Sequence, residues 1–223
     1  MKFLFDVINK ILFGWSAKCG STHVKHLYHF LSSHDTHKEF FESMEDDNSL
    51  DFSTYKVFIF IRNPYERVVS GFLEKYKSNG LLRNLWGNGQ PLTFRNFVNE
   101  LIKGDYNVVE EHHFTPQLSE EWCDSMKTHS PLYIFDITNI NYELLEILYS
   151  KEIPNEIREF KGEHCNKNNE TVDFPVYDLP IDKYELKRPL VECFYDEDIR
   201  NKVKEFYKED FAFFLENGFS FTK

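Results

Sequence analysis

From Val57 to Ile61 the run Tyr55-Lys56-Val57-Phe58-Ile59-Phe60-Ile61 is β-branched and aromatic with no polar alternation. A strand without a polar face is buried on both sides, as in the middle of a parallel sheet. Residues 11–15 and the run Pro131-Leu132-Tyr133-Ile134-Phe135-Asp136 predict two further strands. Helical spacing fills the intervals. Residues 22–32 predict a helix capped by Ser21 or Thr22. Asn63-Pro64 opens a helix to about Lys77, with Val68, Val69, Phe72, Leu73 and Tyr76 as its apolar stripe. Thr93 caps a helix carrying Phe94, Phe97, Val98, Leu101 and Ile102. Tyr142 to Tyr149 predicts a helix, and Asp196 to Phe214 a helix or helix pair. Residues 1–10 read as a short amphipathic lead-in. Residues 33–54 read as a polar connection with room for a helix at 37–44. Residues 78–92, with a short helix at 81–86, and residues 104–130 and 151–185 read as loop-rich. Strands separated by helices make an α/β pattern. Ligands of such sheets collect at the carboxyl ends of the strands. Ser16 to Thr22, Arg62 to Ser70 and the residues after Phe135 fall there.

Composition narrows the classes. At 223 residues, 41% hydrophobic and 17% aromatic, the chain suits one α/β domain with a buried core and not a disordered segment. Its net charge of −11 (26 − 37) argues against a non-specific nucleic-acid binder. Anion binding in so acidic a chain depends on a few placed cations. The amino terminus is too short and polar for a membrane span or a secretion signal, so a soluble cytoplasmic protein is expected. Cys19, Cys123, Cys165 and Cys193 form no CxxC pair. Reduced thiols are expected, with a disulfide left open by the even count. His23, His26 and His29 stand at i, i+3 and i+6, but no Cys or carboxylate stands beside them at metal spacing. They read as a polar helix face, and no metal is expected.

Candidate chemistry lies at the strand ends. In Trp15-Ser16-Ala17-Lys18-Cys19-Gly20-Ser21-Thr22 a strand runs through a small-residue loop into a helix, the layout that cradles a phosphate or sulfate. Lys18 precedes Gly20, so the loop is not a Walker A motif. Asp136 is the nearest candidate for holding Mg²⁺. Arg62 ends the second strand, and Ser70 follows about two helical turns on. A guanidinium fork and a hydroxyl can grip one phosphate. Two anion sites on neighbouring strand ends fit a nucleotide phosphorylated at both ends of its ribose.

Ala17-Lys18-Cys19-Gly20-Ser21-Thr22 resembles the 5′-phosphosulfate loop of sulfotransferases that use 3′-phosphoadenosine 5′-phosphosulfate. Ile61-Arg62-Asn63-Pro64-Tyr65-Glu66-Arg67-Val68-Val69-Ser70-Gly71-Phe72 resembles their 3′-phosphate segment, R-[DN]-P-[FY]-x-R-x-x-S. Leu92-Thr93-Phe94-Arg95-Asn96-Phe97-Val98, His113-Phe114-Thr115-Pro116-Gln117 (Phe114 standing where the family has Trp) and Phe206-Tyr207-Lys208-Glu209-Asp210-Phe211 are similar to elements of the carbohydrate group that modifies chondroitin and dermatan. The resemblance implies a P-loop-NTPase-like three-layer α/β fold, with a central, mostly parallel sheet flanked by helices, in a single domain over 1–223. It implies that Lys18, Cys19, Gly20, Ser21 and Thr22 bind the 5′-phosphosulfate and that Arg62 and Ser70 bind the 3′-phosphate. Lys18 would also stabilise the leaving group, and adenosine 3′,5′-bisphosphate would be the product. The acceptor that the resemblance implies is a hydroxyl, expected on a carbohydrate. His113 is the first candidate for general base, with His112, Glu111, His34 and His37 open as alternatives. Arg67 is either a supporting partner or an exposed helix charge. A P-loop kinase-like phosphotransferase and a non-catalytic module for phosphorylated or sulfated ligands are the competing classes.

Overall fold

Four strands form one sheet in chain order: β1 (Lys2–Asp6), β2 (Ile11–Trp15), β3 (Lys56–Ile61) and β4 (Leu132–Asp136). β1 is antiparallel to β2, while β2, β3 and β4 are parallel. This is a computed structural model, and it describes residues 1–32, 52–87, 89–104, 109, 111–118, 131–159, 171–184 and 187–221. His34, His37, Cys123, Cys165 and the expected helix at 37–44 lie outside the described residues.

The chain divides into two compact units, Met1–Arg62 with Gln117–Cys165 and Asn63–Pro116 with Asn166–Lys223. The first holds the sheet with helices α1 (Ser21–Ser32), α5 (Tyr142–Tyr149) and α6 (Asn155–Arg158). Register sorts the side chains by face. Phe13 pairs with Phe58 and Phe58 with Tyr133, while Trp15 pairs with Phe60 and Phe60 with Phe135. This aromatic face includes stacked rings, Phe13 on Phe60 at 5.6 Å and Phe60 on Phe135 at 5.3 Å. It packs with Val24, Leu27, Tyr28 and Leu31 of α1 and Leu145 of α5. The opposite face is aliphatic, with Leu12, Val57, Ile59 and Ile61 buried. β3 is thus covered on both faces, as its unbroken apolar run requires.

The amino terminus corrects the expectation of a lead-in. Residues 2–6 form the sheet's antiparallel edge, β1, and the polar residues that interrupt the run make the hairpin turn. The Asp6 carboxylate accepts from Asn9 N at 3.0 Å and from Asn9 Nδ2 at 2.8 Å, and Lys10 takes φ +54°.

The second unit holds α2 (Pro64–Tyr76), α3 (Phe94–Leu101), the single turn α4 (Glu111–Phe114), a two-residue parallel strand pair of β5 (Thr171–Val172) and β6 (Arg188–Pro189), α7 (Glu197–Phe206) and α8 (Lys208–Glu216). Both expected caps form: Asn63 Oδ1 accepts from Tyr65 N at 3.0 Å, and Thr93 Oγ1 from Asn96 N at 3.1 Å. The carboxyl-terminal helix is a pair that breaks at Tyr207. The core of this unit gathers Phe72, Phe94, Phe97, Phe114, Phe194 and Tyr207. Cys19 and Cys193 are buried and not disulfide-bonded. Among the described residues no helix is long and apolar enough to cross a membrane.

The mixed, mostly parallel sheet with flanking helices is the α/β architecture that the sequence implies.

Candidate functional site

The loop after β2 begins with a tight turn in which Cys19 N donates to Ser16 O at 3.1 Å. Lys18 and Gly20 both take φ +67°. A residue with a Cβ pays about 1–3 kcal/mol for that conformation, so the turn is held by its surroundings. Left-handed residues in such a turn fold N–H groups into an anion-binding concavity. Gly20 O accepts from Val24 N at 2.9 Å and begins α1. The helix therefore starts from Gly20, one residue before Ser21 and two before Thr22, the expected caps. The glycine carbonyl makes the first helical bond, so Ser21 and Thr22 fall inside the first turn. N–H groups there have no acceptor within the helix and lie at the positive end of its dipole. Gly20 is required for space as well as for its φ. A Cβ there would lie 2.3 Å from Ile137 Cγ1, just beyond β4.

Arg62 follows β3 and is half-buried. Its Nη1 donates to the carbonyl of Lys18 at 3.3 Å, so the guanidinium reaches into the loop. Gln117, 2% exposed, joins the same two segments. Its Nε2 donates to Arg62 O at 2.8 Å. Its Oε1 accepts from Arg62 N at 2.9 Å and from the Cys19 thiol at 2.8 Å. Its main-chain carbonyl accepts from Ser16 Oγ at 2.8 Å. Sequence reasoning gave Gln117 no role beyond closing the His113–Gln117 element. The available signal was an amide directly after Pro116, a residue with four bonds to satisfy if buried.

Other residues of the first unit are committed locally. Asp136 Oδ1 accepts from Thr138 N at 2.9 Å and from Thr138 Oγ1 at 2.8 Å, closing the turn after β4. His23 has a ring nitrogen 2.9 Å from Tyr142 Oη, while His26 and His29 are exposed. The three histidines thus serve different surroundings. Burial raises the Tyr142 phenol above its ordinary value, with Arg158 opposing.

In the second unit Ser70 is half-buried on α2. Glu111 and His112 are exposed on α4, and His113 is half-buried. The segment carrying His113 is fastened through its neighbours. Phe114 is fully buried, 4.9 Å from Phe97 ring to ring. Its carbonyl accepts from Tyr207 Oη at 2.5 Å. The next carbonyl, Thr115 O, accepts from Arg67 Nη1 at 2.6 Å. Arg67 is 1% exposed, and its guanidinium lies 6.0 Å from the Tyr207 ring. It is a buried support for the His113 segment and not an exposed helix charge.

Lys18, Cys19, Gly20, Ser21, Thr22 and Arg62 are thus together in the first unit, while Ser70, Glu111, His112 and His113 belong to the second. The sulfotransferase family model matches residues 1–215. The chain belongs to the sulfotransferase family. No curated protein and no solved structure gives a significant match to it. The family activity is transfer of a sulfuryl group to an acceptor. In this sulfotransferase the matched span contains the loop after β2, Arg62, Gln117 and the His113 segment.

Proposed function

We propose that this sulfotransferase moves a sulfuryl group from 3′-phosphoadenosine 5′-phosphosulfate to a carbohydrate hydroxyl. The contact of Arg62 Nη1 with Lys18 O carries the reading, because it sets a guanidinium fork against an anion-type loop within one unit. The donor set fits this nucleotide. An ammonium, two hydroxyls and a guanidinium are offered, and no Asp or Glu occurs between Ile11 and His34 to repel an anion. Lys18, Cys19, Gly20, Ser21 and Thr22 would hold the 5′-phosphosulfate, by side chain or by main-chain N–H. Arg62 would take the 3′-phosphate, with Ser70 assigned the same group by the sequence resemblance.

The nucleotide, when bound, supplies the activated sulfuryl group. The Lys18 ammonium stabilises negative charge on the bridging oxygen, a mostly electrostatic contribution of the kind that dominates phosphoryl transfer. His113 takes the proton of the acceptor hydroxyl. This role, like that of Ser70, rests on the sequence resemblance. The carbohydrate acceptor is supported by the Leu92–Val98, His113–Gln117 and Phe206–Phe211 elements together.

Incubation with radiolabelled donor and a panel of glycans and phenols tests the proposal. Label is expected in a glycan, without added Mg²⁺. His113→Ala should lose transfer and keep adenosine 3′,5′-bisphosphate binding within about twofold, and full turnover by that variant removes His113 as the base. Label in phenols alone overturns the acceptor class. Donor binding with no transfer to any acceptor, or Mg²⁺-dependent phosphoryl transfer from ATP, overturns the reaction.

A further inference from the structure

We infer that Gln117 is a positioning residue that sets the span between the two ends of the nucleotide site. The inference rests on the donor assignment above. The ladder between β2 and β3 ends at the pair Trp15 and Phe60. Beyond that pair the strands no longer fix the loop against Arg62, and the Gln117 amide takes over. It binds both the N–H and the C=O of Arg62, as a neighbouring strand would. Gln117 also holds the loop on either side of Lys18, its main-chain carbonyl accepting from Ser16 Oγ and its Oε1 from the Cys19 thiol. One buried residue therefore fixes where the Arg62 fork begins and where the Lys18 turn sits. These bonds run to the main chain of Arg62 and to the residues flanking the Lys18 turn. Gln117 thus acts through Arg62 and Lys18.

A ligand anchored at both ends depends on that span, whereas a ligand anchored at one end does not. The readout is the ratio of affinities for adenosine 3′,5′-bisphosphate and adenosine 5′-monophosphate, measured calorimetrically on the full chain. Wild type should prefer the bisphosphate by about tenfold or more, the value of one charge-assisted contact. Gln117→Leu should bring the ratio close to one. Loss of thermal stability alone lowers both affinities together and leaves the ratio in place. If Gln117→Leu does not fold, Gln117→Glu, which loses the donor to Arg62 O, and Ser16→Ala, which loses the hydroxyl on the Gln117 carbonyl, carry the same comparison. A folded variant whose ratio stays within twofold of wild type overturns the positioning role. A wild type without preference for the bisphosphate overturns the donor assignment itself, and with it any span for Gln117 to set.

Discussion

On the proposed assignment cofactor choice turns on Arg62, since a 3′-phosphate separates the proposed donor from ATP. Arg62→Ala should weaken adenosine 3′,5′-bisphosphate binding by about 1.5–3 kcal/mol, the value of hydrogen bonds to a charged group. Binding of adenosine 5′-monophosphate should change far less. A calorimetric titration that finds the 3′-phosphate preference intact removes Arg62 from that role. Placement at this scale was legible. Lys18, Gly20, Ser21, Thr22 and Arg62 are named by residue type and by their place at strand ends. What was not legible is how they are held. The left-handed φ of Lys18 follows from its surroundings and not from its own side chain. The Cys19–Gln117 contact spans 98 residues, beyond the reach of any local pattern. Arg67 shows the same limit. Position in the motif left it open between support and surface charge, and burial against Thr115 and Tyr207 decides it.

Elements were legible where one face or both carry a continuous signal. β2 and β3 are buried strands and announce themselves as apolar runs. β4 has the same apolar look, which predicts a buried strand, yet among the described residues it lies at the sheet edge and buries only Phe135. α2 and α3 carry caps that act within three residues. β1 was hidden because its five residues end in charges at Lys2 and Asp6, and its pairing partner supplies the missing specification. The two-residue strands β5 and β6 have no pattern at all, being defined by their partner alone. Packing also sets sequence choice on α2. A Cβ at Gly71 would lie 2.6 Å from Phe114 Cε1. Gly71→Ala gains about 1 kcal/mol of helix propensity and suffers about 1–3 kcal/mol of overpacking in a filled core. The second effect wins, so denaturant unfolding should show a net loss. The same substitution in a Phe114→Leu background should be neutral or favourable. A loss of equal size in both backgrounds would mean that the ring is not what excludes the methyl group.

At the scale of the whole molecule, each unit has its own core, one a layer of aromatic strand residues under α1 and α5, the other the aromatic cluster around Phe97. The sequence islands outside the loop are weak singly. Phe94, Phe97, Phe114 and Tyr207 nonetheless meet in that second core. The turn at Lys18 bears on the stability of the entire fold. A left-handed lysine is a standing debit of about 1–3 kcal/mol, while a glycine there would lose about 0.5–1 kcal/mol through its freer unfolded chain. Lys18→Gly should therefore unfold at the same temperature as wild type or higher, while sulfuryl transfer disappears. A clear drop in its unfolding temperature would show that the ammonium helps hold the fold. Selection for robustness alone would replace this lysine. On the proposed assignment, activity and durability pull in opposite directions at this position.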